Sequence, residues 1–200
     1  MKKVIFLFLI GGFVCFYVVR AAAATWEVGV IGPAGGIIFY DKGNDSDGWR
    51  YLEAAPAETD FRGEQSDEGY KGVPYGVYHE VILDTETGVG TGKRNTELIL
   101  ERLAQLGESD CAAQLCVSLN YNGFNDWFLP SKDELDLMYR NLKENGLGDF
   151  AGIYWSSSRN INHDWYASNR YAWAQNFHTG DETWYLTQYL PHVARAIRAF

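Results

Sequence analysis

The sequence predicts an α+β fold built as a single domain. Segments typical of β-strands lie near both ends of the chain, and segments with helical periodicity lie between them. The 5 Pro and 21 Gly are spread without a period, which favours many turns between short elements over a bundle of long helices. With 46% hydrophobic residues, among them 7 Trp, the chain has ample material for one packed core.

The first element, residues 1–24, has the pattern of a secretory signal peptide. Met1–Lys3 is basic, Val4–Val19 is an apolar run of 16 residues, and Arg20–Ala24 ends in small residues suited to an A-x-A cleavage site. A membrane-spanning helix takes about 20 apolar residues, so the run favours cleavage over a retained membrane helix. We therefore expect no stable membrane span after processing, and one domain over residues 25–200.

A β-hairpin is expected next. Ile37–Tyr40 and Trp49–Ala54 are rich in strand-forming residues, and the polar stretch Asp41–Gly48 joins them. Its acidic residues suggest a calcium loop, but in the EF-hand register the first ligand position is Gly43. The twelfth is Ala54, where a bidentate Glu is required. The sequence thus predicts a turn whose side chains bond its own backbone, and no metal site.

Helices are expected in the middle of the chain. Asn95 or Thr96 can cap a first helix that runs to Leu106, and a second helix carries Cys111–Leu119. Ser131–Glu134 is a capping box, in which the Ser hydroxyl and the Glu carboxylate each accept a hydrogen bond from the other residue's amide. The third helix follows it, with one apolar face at helical spacing: Leu135, Met138, Tyr139 and Leu142.

The remaining segments are a loop and strands. Pro56–Glu80 is dense in Gly, Asp, Glu and Tyr without a period, which is typical of a long loop. Beyond the third helix the chain is again aromatic and rich in β-formers, and four strands are expected. They are Ile153–Trp155, Tyr171–Ala174, Thr183–Leu186 and Val193–Phe200.

Six sequence blocks carry a resemblance to a known family. They are GPAGGIIFYD at 32–41, DGWRYLEAAP at 47–56, GTGKRNT at 90–96, NGFNDWFLPS at 122–131, YWSSS at 154–158 and RAIRAF at 195–200. In this order, over nearly all of the mature chain, they resemble the Lcl C-terminal domain family, named for a collagen-like bacterial adhesin. The resemblance implies a C-type-lectin-like α+β fold. In that fold two or three helices pack on a twisted, mostly antiparallel sheet below a long-loop half, and the first and last strands pair.

Charge limits the partners. Removing residues 1–24 takes 3 of the 17 basic residues, so 14 remain against 26 acidic ones, a formal charge of −12. Such a field repels nucleic acid and sulfated glycans. The resemblance implies binding of glycosaminoglycans and trimer formation, but this chain has no Gly-X-Y tract to drive trimerisation, and its charge is wrong for a sulfated polymer. We therefore expect no nucleic-acid partner and leave the ligand open.

No catalytic residues and no cofactor are predicted. Ser156–Ser158 lacks the Gly-x-Ser-x-Gly elbow, and no Cys follows Cys116 to form the reactive pair that formylglycine-generating oxidases of related fold use. The four histidines show neither H-E-x-x-H nor paired-ligand spacing; they are His79, His163, His178 and His192. A nucleophile with a nearby base cannot be named, so the sequence favours a protein that is not an enzyme.

Two cysteines remain in the mature chain, Cys111 and Cys116. An even count in an exported protein often means a disulfide. Five helical steps span about 7.5 Å, which exceeds the usual Cα separation of a bridge. Either Cys111 precedes the first helical turn and the two are bridged, or both are small buried thiols.

The aromatic residues divide into two groups. Four Trp lie in predicted strands or beside the capping box and are expected in the core: Trp49, Trp127, Trp155 and Trp173. The polar segment Asn160–Tyr171 instead alternates rings with amides and an Arg, a mixture typical of sugar or peptide recognition. In this candidate ligand site Trp165 and Tyr171 stack and Arg170 donates to an acceptor. Orienting hydrogen bonds come from Asn162, Asp164 and Asn169.

Together these observations predict a non-catalytic binding module, exported to the periplasm, the cell surface or the medium. Its expected ligand is a glycan or an extracellular protein, as for an adhesin. The alternative is a structural or interaction subunit that meets a protein partner through its acidic surface.

Overall fold

Three α-helices and two antiparallel three-stranded sheets form an α+β fold in the part of the chain that this computed structural model describes, which confirms the predicted class. The described residues are 25–64, 72–76, 84–160, 171–186 and 191–200, together with the backbone of four short strands before residue 20. These are β1 (Val4–Phe6), β2 (Leu9–Ile10), β3 (Phe13–Val14) and β4 (Tyr17–Val19), paired β1 with β4 and β2 with β3. None of the helices among the described residues is long and apolar enough to cross a bilayer.

The first three-stranded sheet contains the predicted hairpin. β5 (Ile37–Asp41) pairs antiparallel with β6 (Tyr51–Ala54), and β6 pairs on its other side with β10 (Ile197–Ala199). The expected last strand, Val193–Phe200, is thus shortened to three residues. The expectation that the first and last strands pair directly is wrong, because β6 lies between them and Ile197 is opposite Ala54.

A second sheet is formed by β7 (Ile153–Arg159), β8 (Tyr171–Asn176) and β9 (Glu182–Leu186), in that spatial order. The expected single sheet is therefore two sheets. The carboxy-terminal segment connects them: Val193 exchanges backbone hydrogen bonds of 2.9 Å with Ile153 and Trp155 before the chain enters β10. Polar backbone groups at the edge of one sheet are satisfied in this way by the strand that completes the other.

The first helix, α1 (Gly92–Leu106), begins earlier than the sequence indicated. Thr91 is its N-cap residue, whereas Asn95 and Thr96, the predicted caps, lie inside the helix and are buried. Their side chains bond elsewhere in the fold, Asn95 to both backbone groups of Glu86 and Thr96 to the backbone of Leu129. Asn95, which is suited to capping, instead holds the loop at Glu86 against α1.

Of the two shorter helices, α2 (Ala112–Ser118) is one residue shorter at each end than the predicted Cys111–Leu119, and α3 (Lys132–Asn141) begins where its capping box predicts. α2 follows Cys111, and α3 follows the capping box of Ser131 and Glu134, in which both reciprocal hydrogen bonds are formed. The amide of Ser131 lies 2.7 Å from the Glu134 carboxylate. Asn145 and Gly146 end this region, Gly146 with a φ of 71°.

The core divides into two clusters. One surrounds Trp155 beneath α1 and α2, and the other surrounds Met138 and Phe177 beneath α3. Of the four Trp expected in the core, Trp127 and Trp155 are buried, which confirms the prediction for them. It is wrong for Trp49, which is partly exposed on the first hairpin, and for Trp173, which is partly exposed on the second sheet.

Candidate functional site

The predicted ligand segment joins β7 to β8. Of its six candidate residues, Tyr171 is described and opens β8, where it is partly buried. The amide of Asn160 donates a 3.0 Å hydrogen bond to the Tyr171 carbonyl, so the two ends of the segment lie side by side. The other five predicted residues lie outside the described residues: Asn162, Asp164, Trp165, Asn169 and Arg170.

An aromatic stripe extends from this point along the face of the second sheet that α3 partly covers, where buried Gln175 bonds Asp136. It consists of Tyr171, Trp173 and Trp184. Trp173 and Trp184 are directly opposite each other in the ladder, with ring centroids 5.5 Å apart in an edge-to-face arrangement. The Trp184 residue is 38% exposed. Because successive side chains of a strand point to opposite faces, Tyr171 shares this face with Trp173.

The opposite face of β8 packs against the core. Ala172 and Ala174 are buried there and belong to the core around Trp155. Alternation then places the larger rings of Tyr171 and Trp173 on the other face. Large aromatic rings held on a rigid sheet lose little conformational entropy when they bind a ligand, which is why they are common at recognition sites.

Charged side chains adjoin the stripe at the start of α3. The Lys132 ammonium lies 5.2 Å from the Trp173 ring centroid, 2.7 Å from the Glu182 carboxylate and 3.6 Å from that of Asp133. The three side chains are partly exposed, Lys132 least and Asp133 most. The stripe therefore presents apolar rings beside both donors and acceptors of hydrogen bonds.

Three buried serines position these groups. The Ser156 hydroxyl donates to the Trp173 carbonyl at 2.9 Å, and the Ser158 hydroxyl donates to the Glu86 carbonyl at 2.7 Å. The Ser158 oxygen also accepts from the amide of Lys132 at 3.0 Å. Ser157 similarly donates to the Pro130 carbonyl. The serine run thus ties β8 and the start of α3 to β7.

Glu134 joins the loop before α1 to the start of α3. Its carboxylate is fully buried between the amino-terminal ends of α1 and α3, where it accepts from the amides of Gly90 and Ser131 at 2.8 and 2.7 Å. Burial raises the pKa of Glu134 to about 7, and the amide hydrogen bonds oppose this rise because they favour the carboxylate. The residue holds the loop before α1 against the capping box of α3.

A shallow groove is a second candidate surface. It has a volume of about 180 Å³, and its lining includes the apolar residues Leu100, Val117 and Trp127 and the charged residues Lys93 and Asp126. Ligand pockets for small molecules are typically about 300 Å³ or larger. The groove has room for one side chain of a partner or a small fragment.

Glu53 and Arg198 explain several of the sequence blocks. The fully buried Glu53 carboxylate accepts from the amides of Ala34 and Gly36 and from the Arg198 guanidinium at 3.2 Å. Arg198 also makes two hydrogen bonds of 2.8 and 2.9 Å to Asp126. The pKa of Glu53 is raised, because the effect of burial exceeds the opposing effect of these hydrogen bonds. Gly36 is required here, because an added Cβ would lie 2.1 Å from the Ala54 carbonyl oxygen.

Cys111 and Cys116 are separate, buried thiols. Cys111 is extended and precedes the first turn of α2, and the two sulfurs are not joined. Burial raises the pKa of Cys111 to about 11 and raises that of Cys116 further. This is the second of the two alternatives that the sequence left open, and it places both sulfurs in packing roles.

The turn between β5 and β6 is bonded to itself, as predicted. Asp41 accepts from the amide of Gly43 at 2.7 Å and pairs with Arg50, and Asn44 accepts from the amide of Ser46 at 3.0 Å. The hydrogen bond from Arg50 lowers the pKa of Asp41. Across the described part of the chain, no group of three or more His, Cys, Asp or Glu side chains is arranged to hold a metal ion.

Sequence reasoning missed most of the aromatic stripe. The sequence predicts a strand around Trp184 and a core position for Trp173, and it carries no sign of the contact between Lys132 and Glu182. One signal was present: Ala172 and Ala174 flank Trp173, so the face with small residues suits close packing and the other face carries the rings. The 2.7 Å contact of Lys132 with Glu182 joins residues 50 positions apart and has no local signal.

Comparison of the chain with protein-family models finds no match, and comparison with curated protein sequences finds none either. The resemblance to the Lcl C-terminal domain family, and the lectin-like arrangement it implies, therefore stay predictions. Three of the blocks that carry the resemblance do meet in space, because Glu53, Asp126 and Arg198 each belong to a different one.

Proposed function

We propose that this chain is an exported, non-catalytic binding module that recognises a glycan through the aromatic stripe and the adjoining segment Asn160–Tyr171. The observation that carries the proposal is the Trp173–Trp184 pair, with Trp184 38% exposed on the sheet face. The C–H face of a pyranose ring packs on an aromatic ring, and its hydroxyls need donors and acceptors nearby. Lys132 and Glu182 supply both at the rim of the stripe.

Export is part of this proposal and rests on the signal-like pattern of residues 1–24. The absence of catalysis is likewise proposed from the sequence, in which no nucleophile is paired with a base. The serines after Trp155 fit this proposal, because each hydroxyl donates to a backbone carbonyl in the interior. Their bonding suits a structural role better than a nucleophilic one.

A glycan array probed with protein that begins at Thr25, with and without calcium, tests the proposal. We expect binding to at least one class of pyranose glycan, with equal signal in calcium and in chelator. A Trp184→Ala variant should lose the signal. An array without binding, or one whose hits are unchanged by Trp184→Ala, would contradict the proposal.

The second candidate is an interaction subunit for a protein partner, and the groove beside α1 favours it. Its apolar lining fits one side chain of a partner, and the acidic residue Asp126 also lines it. The mature charge of −12 would attract a basic partner. Leu100→Asp should abolish capture of such a partner and leave glycan binding intact, which separates the two candidates.

A further inference from the structure

We infer that Glu182 sets the charge selectivity of the aromatic stripe, so that the stripe takes pyranose ligands without anionic groups. This inference rests on the proposed function, because it concerns the ligand class of the same site. Its basis is the 2.7 Å ion pair between Glu182 and Lys132, formed beside the ring of Trp173. The ammonium that would otherwise attract a sulfate or carboxylate is already engaged.

Among the described side chains around Lys132, acidic groups outnumber basic ones. Lys132 lies within 4 Å of both Glu182 and Asp133, so two carboxylates face one ammonium. The Lys132 side chain is 20% exposed against 31% for Glu182 and 45% for Asp133, which leaves the carboxylates more accessible than the ammonium. A ligand arriving over Trp184 therefore meets acceptors first and a net negative charge.

This balance discriminates among sugars by their substituents. A neutral hydroxyl donates to the accessible carboxylates, and an amine on the ring gains an ion pair with them and a cation–π contact with the rings. A sulfated or carboxylated ring gains neither, because it must displace Glu182 from Lys132 and is repelled by Asp133. The mature charge of −12 acts in the same direction at long range, but salt screens that part more strongly.

The experiment compares two probes that share one backbone, a neutral oligosaccharide that binds the wild-type protein and its sulfated derivative. The wild type should prefer the neutral probe. Glu182→Gln should raise affinity for the sulfated probe about fivefold, as expected for one exposed charge pair, and should lower affinity for the neutral probe, which loses a carboxylate acceptor. The gain should vanish when Lys132→Met is added to Glu182→Gln.

A matched control is Glu101→Gln on the exposed surface of α1, which changes the net charge equally. Glu182→Gln should exceed it in its effect on the sulfated probe. The inference is overturned if the wild type binds the two probes equally, or if Glu101→Gln raises affinity for the sulfated probe as much as Glu182→Gln does. In either case the proposed function still holds as long as binding depends on Trp184. If neither probe depends on Trp184, the proposed function fails and the inference fails with it.

Discussion

Replacement of Asp60 by Asn tests the interior ion network that joins the long loop to the carboxy-terminal segment. The side chains of Asp60 and Arg195 are each 1% exposed. Both carboxylate oxygens of Asp60 accept from the Arg195 guanidinium, one of them at 2.9 Å, and the Tyr154 hydroxyl donates at 2.8 Å. Arg62 completes the cluster from the surface at 2.6 Å.

The expected cost of Asp60→Asn follows from what remains in the interior. Arg195 would keep its hydrogen bond to the Gly148 carbonyl and its packing over Phe150, but its charge would have no carboxylate partner. Removal of one partner of a buried ion pair costs about 3–5 kcal/mol, against a total stability of about 5–15 kcal/mol. At about 2–4 °C per kcal/mol for a domain of this size, the melting temperature should fall by about 10 °C.

Urea denaturation of protein that begins at Thr25 measures this cost, with Arg62→Met as the control. The Arg62 side chain is 39% exposed, so its loss should cost less than about 1 kcal/mol. The reasoning is refuted if Asp60→Asn is no more destabilising than Arg62→Met, because the Arg195 charge would then have to be solvated in the folded protein.

Two further predictions concern buried titratable groups. Because burial raises the pKa of Glu134 from 4.5 to about 7 on folding, its contribution to stability should fall as the pH rises from about 4.5 to about 7, by about 3 kcal/mol. Glu134→Gln should flatten the pH dependence of unfolding in this window, and an unchanged slope would contradict the assignment. In folded protein that begins at Thr25, Cys111 and Cys116 should not react with a thiol reagent at pH 8, because both thiols are buried. In denaturant without reductant both should react. If neither reacts in denaturant, the two cysteines are bridged.

Elements specified by near neighbours in the sequence were predictable. The capping box of Ser131 and Glu134 spans three residues, and the hairpin of β5 and β6 is joined by a turn that bonds its own backbone. Both carry all their determinants within a few positions. The buried face of α3 was predictable for the same reason, because apolar spacing along one helix depends on that helix alone.

Features that depend on distant contacts were not predictable. The first turn of α1 extends before Asn95 because that side chain bonds Glu86 in the loop ahead of the helix. The partners of Arg198 lie 72 and 145 residues away in the chain. Trp173 was misplaced because an apolar residue in a strand is assigned to the core until its neighbours on the sheet are known. The partial exposure of the stripe depends on how the strands pair and pack, and the sequence of one strand does not determine this.

The central claim is that the exposed ring of Trp184 anchors a glycan. Its most direct test is a calorimetric titration of a glycan that binds the wild type, repeated with Trp184→Ala and with Leu106→Ala, which truncates a side chain of similar exposure at the end of α1. An anchoring aromatic is worth about 2 kcal/mol or more, so Trp184→Ala should weaken binding about thirtyfold. Leu106→Ala should leave the affinity unchanged. Equal affinities for Trp184→Ala and the wild type, with both proteins folded, would contradict the claim.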